Sequence, residues 1–153
     1  MSETKTLERV SPKTKAVNYE AVIPNVLKAM AGVNQVMDAS GFERTIHHLV
    51  QLRASQINRC AFCVKMHTRE AREDGETSER LDRVIVWDQV SDFNPRERAA
   101  LAWTEALTTL DPKADLDLLR AELREHFSEA EIGILTGTVA MINLWNRIGV
   151  SRH

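Results

Sequence analysis

Two cysteines and one histidine stand at a spacing that could carry redox chemistry. Cys60 and Cys63, the only two cysteines of the chain, are separated by two residues, and His67 follows four positions after the second. On an α-helix these three side chains fall within about 60° of one another, on one face. A thiolate can attack a peroxide or a disulfide, and a second thiol can then form a disulfide with the oxidised sulfur. The spacing therefore supplies a nucleophile, a resolving thiol and a proton acceptor.

Three local features are expected to lower the pKa of these thiols. Asn58 is a plausible N-cap, which would place Cys60 near the second position and Cys63 near the fifth position of a helix. The N-terminus of a helix carries partial positive charge and free N–H groups. Arg59 adds a positive charge next to the pair, and His67 lies one helical turn from Cys63, where it can act as a base.

Two other interpretations of the same residues remain open. Cys60, Cys63 and His67 could be zinc ligands, with His47 or His48 as the fourth. Structural zinc, however, usually takes its cysteine pair from a turn and its other ligands from a distant segment. Alternatively, the cysteines are small buried side chains and His67 is a surface histidine. We favour redox chemistry because the histidine is in helical register with the pair.

The apolar spacing and the helix start signals predict an all-α, single-domain bundle of about seven helices. Two of these start signals are capping boxes, Asn94 with Glu97 and Ser128 with Glu131. The 153 residues can bury a core without metal or disulfide support. We expect residues 1–22 to form an N-terminal arm and residues 23–153 to form the helical domain. The predicted helices cover about 24–40, 43–56, 58–74, 77–87, 95–110, 116–127 and 128–148. We expect the tryptophans to lie in the core or at a subunit interface.

Charge and hydropathy give no reason to expect a nucleic acid or a membrane as a partner. The formal net charge is −2, and the longest uncharged run, residues 132–146, is shorter than the about 18 residues that span a bilayer. The N-terminal residues lack the apolar stretch of a signal peptide. We therefore expect a cytoplasmic protein, in which an isolated CxxC pair is more often catalytic or metal-binding than structural.

Residues 52–72, LRASQINRCAFCVKMHTREAR, resemble the core of the alkylhydroperoxidase AhpD-like branch of the carboxymuconolactone decarboxylase family. Residues 75–77, 97–105 and 142–147 fit the same branch, so the likeness covers nearly the whole chain after about residue 24. The resemblance implies an all-helical homo-oligomer, a trimer or a hexamer, that reduces hydroperoxides without a bound cofactor. It also implies an external dithiol reductant of the lipoyl or thioredoxin-like type.

The resemblance further implies a role for each site residue. Cys63 would attack the peroxide, Cys60 would resolve the oxidised sulfur, and His67 would relay a proton. An analogy with thioredoxin would reverse the two cysteine roles. The family commonly has a glutamate twelve residues before the first cysteine, feeding the relay. This chain has His48 there, and we place His48 in the relay on that ground.

Two further positions depart from the family pattern. Phe62 stands where AhpD itself has a histidine beside the second cysteine, and Arg59 stands where close relatives usually have glycine. The decarboxylase branch typically lacks the cysteine pair, so decarboxylation is disfavoured. The alternative function is non-enzymatic: a helical oligomer whose CxxC pair senses redox state or binds zinc.

Overall fold

The computed structural model describes residues 14–153, which form eight α-helices, one 3₁₀-helix and no strand. The predicted all-α fold is confirmed, and the short α1 is additional to the seven predicted helices. The elements are α1 (Tyr19–Val22), α2 (Pro24–Asp38), α3 (Arg44–Ile57), α4 (Ala61–Glu73), α5 (Ser78–Arg83), the 3₁₀-helix (Val84–Gln89), α6 (Pro95–Thr109), α7 (Leu116–His126) and α8 (Glu129–Val150).

Helix α3 is the central element because it is buried on two sides. Ile46 and Val50 join an apolar cluster with side chains of α6, α7 and α8, while Leu49 and Leu52 join a second cluster with α4, α5 and α6. All four side chains are at most 1% exposed. The C-terminal end of α3, which leads directly into the CxxC segment, is therefore held in place by packing along the whole helix.

The junction between α3 and α4 is a tight turn centred on Arg59. The Arg59 N–H donates to the carbonyl of Gln56 (3.2 Å) and the Cys60 N–H donates to the carbonyl of Ser55 (3.1 Å), which is the Schellman pattern of a helix C-terminus. Arg59 has a φ of +57°, in the left-handed region where glycine is favoured. This geometry explains why glycine suits the position before the first cysteine.

The predicted cap of α4 is wrong by two residues. Asn58 is the C-cap of α3, Cys60 is the N-cap of α4, and Cys63 occupies the third position of α4 rather than the fifth. The Asn58 side chain donates instead to the side-chain oxygens of Asn143 and Asn146 on α8, each at 2.9 Å. These bonds hold α8 against the turn that carries the cysteines.

The predicted N-terminal arm is described only in part, because residues 1–13 lie outside the described residues. Within the remainder, Tyr19 hydrogen-bonds the Ser151 hydroxyl at 2.9 Å and Glu20 pairs with Arg152 at 2.6 Å. The start of α1 therefore rests on the C-terminal end of α8. Among residues 14–153, no helix has the length and apolar character needed to cross a membrane.

Replacing Arg59 with glycine is expected to stabilise the fold. A residue with a side chain is sterically strained in the left-handed backbone conformation, and Arg59→Gly removes this strain. We therefore expect the free energy of unfolding to rise by about 1 kcal/mol. Arg69→Gly, at an exposed interior position of α4, is the control and should lower it by about 1 kcal/mol. Urea denaturation followed by circular dichroism measures both. A decrease for Arg59→Gly would contradict the junction geometry.

Candidate redox site

The two cysteine sulfurs are joined in a disulfide at the start of α4. The Cα atoms of Cys60 and Cys63 are 5.3 Å apart, and the residues are 1% and 3% exposed. As the N-cap of α4, Cys60 also accepts a hydrogen bond from the Cys63 N–H through its sulfur, at 3.4 Å. The structure therefore brings the predicted cysteine pair together at a helix N-terminus, where backbone dipoles favour a thiolate once the pair is reduced.

Helix α8 passes directly over the disulfide at Gly149. A Cβ atom built on Gly149 would lie 2.7 Å from the sulfur of Cys60 and 3.4 Å from that of Cys63. The first distance is shorter than real Cβ contacts allow, so glycine is required for this close approach. No sequence pattern distinguishes Gly149 from Gly133 on the same helix, where an added Cβ would meet nothing within 4 Å.

An apolar cavity of about 430 Å³ borders one of the two cysteines. Cys63 lines this cavity and Cys60 does not. Its walls are mainly apolar, and the contributing side chains include Phe62, Met66, Ile142, Trp145 and Ile148. Trp145 thus borders the site, whereas we expected it in the core or at a subunit interface. Its buried indole N–H has no acceptor among the described residues.

His67 lies in the wall of the same cavity and is 4% exposed. Its Nδ1 is 3.2 Å from a carboxylate oxygen of Glu70. Because a carboxylate accepts, Nδ1 carries the ring hydrogen and Nε2 has a free lone pair. Burial, with a smaller contribution from the charge of His48, lowers the pKa of His67 from 6.5 to about 4. The ring is therefore neutral at pH 7 and is able to accept a proton at Nε2.

A second, polar cavity of about 390 Å³ is also lined by His67, together with His47 and His48. His48 does not line the cavity that contains Cys63, but it shares the polar cavity with His67. Its Nε2 lies 2.5 Å from a carboxylate oxygen of Asp74. His47 lies 3.5 Å from Asp38, and burial lowers the pKa of His47 despite that carboxylate.

The described part of the chain contains no ligand cluster that would support the zinc interpretation. Across residues 14–153, no three His, Cys, Asp or Glu side chains are grouped so that they could hold a metal ion. The two sulfurs proposed as ligands are bonded to each other.

Comparisons with known proteins agree with the all-α fold. The sequence profile of the carboxymuconolactone decarboxylase family matches residues 24–106. The uncharacterized protein YdfG of Bacillus subtilis is 35% identical over 138 residues, which is 90% of this chain and 94% of YdfG. The uncharacterized protein YnjA of Escherichia coli is 32% identical over 105 residues, which is 69% of this chain and 57% of YnjA.

A solved structure extends this likeness to three dimensions. It belongs to a protein of unknown function from Agrobacterium tumefaciens that has been proposed as an antioxidant defence protein AhpD. The two chains are 37% identical, and the TM-score is 0.86, with coverage of 91% of this chain and 95% of the other.

Adding a methyl group at Gly149 is expected to destabilise the oxidised protein. The sulfur of Cys60 cannot retreat, because the disulfide and the N-cap position hold it. Gly149→Ala should therefore lower the free energy of unfolding by about 1–3 kcal/mol. Gly133→Ala is the matched control in the same helix and should raise it by about 1 kcal/mol. Urea denaturation of the oxidised proteins measures both values. Equal effects at the two positions would contradict the close approach.

Proposed function

The chain belongs to the carboxymuconolactone decarboxylase family as an AhpD-like member, and on that premise we propose that it is a thiol-dependent peroxidase. In this proposal the Cys60–Cys63 pair reduces hydroperoxides in the cytoplasm. The observation that carries it is that Cys63 and His67 share the wall of one apolar cavity while Cys60 is bonded to Cys63 outside it. A peroxide in that cavity would meet a sulfur and a proton-accepting nitrogen together.

The reaction proceeds in two covalent steps from the reduced protein. His67 takes the thiol proton of Cys63, and the thiolate attacks one oxygen of the hydroperoxide. The O–O bond breaks, Cys63 becomes a sulfenic acid, and the alcohol leaves with the proton that His67 returns. The thiol of Cys60 then attacks the sulfenic sulfur, forming the disulfide and releasing water. The two thiols together supply the two electrons that reduce the peroxide.

An external dithiol closes the cycle. Its thiolate attacks the protein disulfide, and a second thiol of the same molecule completes the exchange, so that the reductant leaves as a disulfide. We propose a dithiol of the lipoyl or thioredoxin-like type. The exposed side chain of Phe62, 63% accessible and on the cavity wall, gives an apolar contact next to the sulfur that a bulky reductant must reach.

The cavity supports the assignment of Cys63 as the attacking residue. Cys63 borders the cavity, whereas Cys60 is 1% exposed and is covered by Gly149 of α8. The attacking sulfur must meet the substrate, but the resolving sulfur has only to meet its partner. The reversed assignment would require the peroxide to reach the covered sulfur.

We also propose that the protein is a homo-oligomer, a trimer or a hexamer, that associates through α2. Val26, Val33 and Val36 of α2 are 46–72% exposed and recur at the spacing of one helical face. Within the chain, α2 packs mainly on α1 and α8. A second copy of the same chain would cover this valine face.

Serine substitutions separate the two cysteine roles. Cys63→Ser should abolish peroxide consumption, because no thiolate remains at the cavity. Cys60→Ser should still react once and leave a sulfenic acid that a dimedone-type probe traps. Stopped-flow kinetics and mass spectrometry of the trapped adduct are the measurements. If the adduct forms only in Cys63→Ser, the roles are reversed, and if neither the native protein nor a variant consumes peroxide, the proposed activity is wrong.

A charge on the valine face is expected to lower the mass of the assembly. Native protein should elute with the mass of a trimer or a hexamer, and Val36→Lys should shift it toward the monomer, since a charged group is costly to bury. Leu118→Lys, at a 66% exposed position of α7, is the control and should leave the mass unchanged. Size-exclusion chromatography with light scattering measures all three. A monomeric native protein would rule out the proposed oligomer.

A further inference from the structure

Asp74, the C-cap of α4, joins the polar cavity to the protein surface. One of its carboxylate oxygens lies 2.5 Å from His48 Nε2 and also accepts the Nε–H of Arg44 at 2.8 Å. The His48 side chain is 8% exposed and that of Asp74 is 33% exposed. We propose that Asp74 is a positioning residue that makes His48 the proton store for the Cys63 thiol. This inference rests on the proposed dithiol function of Cys63.

The geometry calls for a proton acceptor beyond His67. Burial holds the pKa of His67 at about 4, so this ring can take the thiol proton but cannot keep it near pH 7. His67 and His48 line the same polar cavity. A proton that passes from the thiol to His67 therefore has a second imidazole in the same polar cavity that can receive it.

Each of the two rings is held by a carboxylate at one nitrogen and is unpaired at the other. Asp74 accepts at Nε2 of His48 and Glu70 accepts at Nδ1 of His67, so these nitrogens carry the ring hydrogens. The opposite nitrogens, His48 Nδ1 and His67 Nε2, are buried and have no partner among the described residues. Asp74 thus fixes the tautomer that leaves His48 with a free lone pair in the interior.

The pairing also sets the charge of the acceptor. Hydrogen bonds from His48 and Arg44 hold the pKa of Asp74 below its usual range, so the carboxylate stays ionised. Counted without Arg44, whose side chain is 73% exposed, the His48–Asp74 pair then carries a charge of −1 when His48 is neutral and no charge when His48 is protonated. A single carboxylate has the same two charge states. The pair can therefore do the work of the glutamate that the family resemblance predicts at position 48.

Other charged and titratable groups surround His48 on several elements. They line the two cavities that His48 borders and are Asp38 of α2, Arg44 and His47 of α3, His67, Glu70 and Glu73 of α4, Glu76 and Arg80 at the start of α5, and Glu97 of α6. Arg80 pairs with Glu97 at 2.6 Å and with Glu76 at 3.0 Å. Within residues 14–153, none of these groups is hydrogen-bonded to the His48 ring. The side chain that forms such a bond is Asp74.

The test is the pH dependence of Cys63 alkylation by iodoacetamide in the reduced Cys60→Ser protein. Adding Asp74→Asn should move the thiol titration to higher pH by about one unit, which makes alkylation near pH 7 about tenfold slower. The reason is that His48 without the carboxylate at its Nε2 accepts the proton released by the thiol less readily, so less thiolate forms at a given pH. A purely electrostatic effect has the opposite sign, since deleting a negative charge lowers a thiol pKa. An unchanged titration, or one moved to lower pH, overturns the proposal.

Two further variants sharpen the result. Glu73→Gln removes an exposed carboxylate beside Asp74 whose one ion pair within residues 14–153 is with Arg69, and it should leave the titration unchanged. His48→Glu combined with Asp74→Asn puts a single carboxylate in place of the pair and should restore the native profile. Failure of this rescue would overturn the proposal.

NMR of the imidazole nitrogens tests the same geometry in the unmutated protein. It should find His48 protonated at Nε2, and the other tautomer would overturn the proposal without any substitution.

Alkylation needs no peroxide, so the proton store and the proposed activity can fail separately. If native protein consumes no hydroperoxide but Asp74→Asn moves the titration to higher pH, the peroxidase assignment is wrong and the role of Asp74 stands. If peroxide is consumed and the titration is unmoved, the peroxidase assignment stands and the role of Asp74 is wrong.

Discussion

The position of both sulfurs depends on one left-handed residue. Because Arg59 has a φ of +57°, α3 can end and α4 can begin around a single turn, with Cys60 closing one helix and capping the next. Packing holds α3 on two sides, and hydrogen bonds from Asn58 hold the turn against α8. In the proposed dithiol function, this junction would provide a firmly held base for the exchange between a disulfide and two thiols.

Two cavities share His67 as a wall residue, and in the proposed function they have different roles. The cavity on the Cys63 side is apolar and suits the organic part of a hydroperoxide, whereas the cavity on the His48 side contains imidazoles and carboxylates. In the proposed mechanism the substrate would occupy one cavity and the proton would pass into the other, with His67 in the wall of both. Burial that keeps His67 neutral fits this arrangement, because a neutral ring can accept a proton and must then pass it on.

Much of the fold was predictable because its signals are local. Asn94 with Glu97, and Ser128 with Glu131, form the capping boxes expected from their spacing, and the family resemblance stated from residues 52–72 is confirmed. The cap of α4 was missed because Asn58 uses its side chain on α8, a partner 85–88 positions away along the chain. Gly149 and Asp74 were missed for the same reason, since what each contacts is set by the packing of separate helices.

The most direct measurement of the dithiol chemistry is a count of free thiols against peroxide consumed. Fully reduced native protein should lose both thiols for each equivalent of organic hydroperoxide, with one Cys60–Cys63 disulfide formed and one alcohol released. An added dithiol should then restore both thiols and allow a second turnover. Peroxide that is consumed without disulfide formation, or thiols that stay free after hydroperoxide is added, would contradict the account.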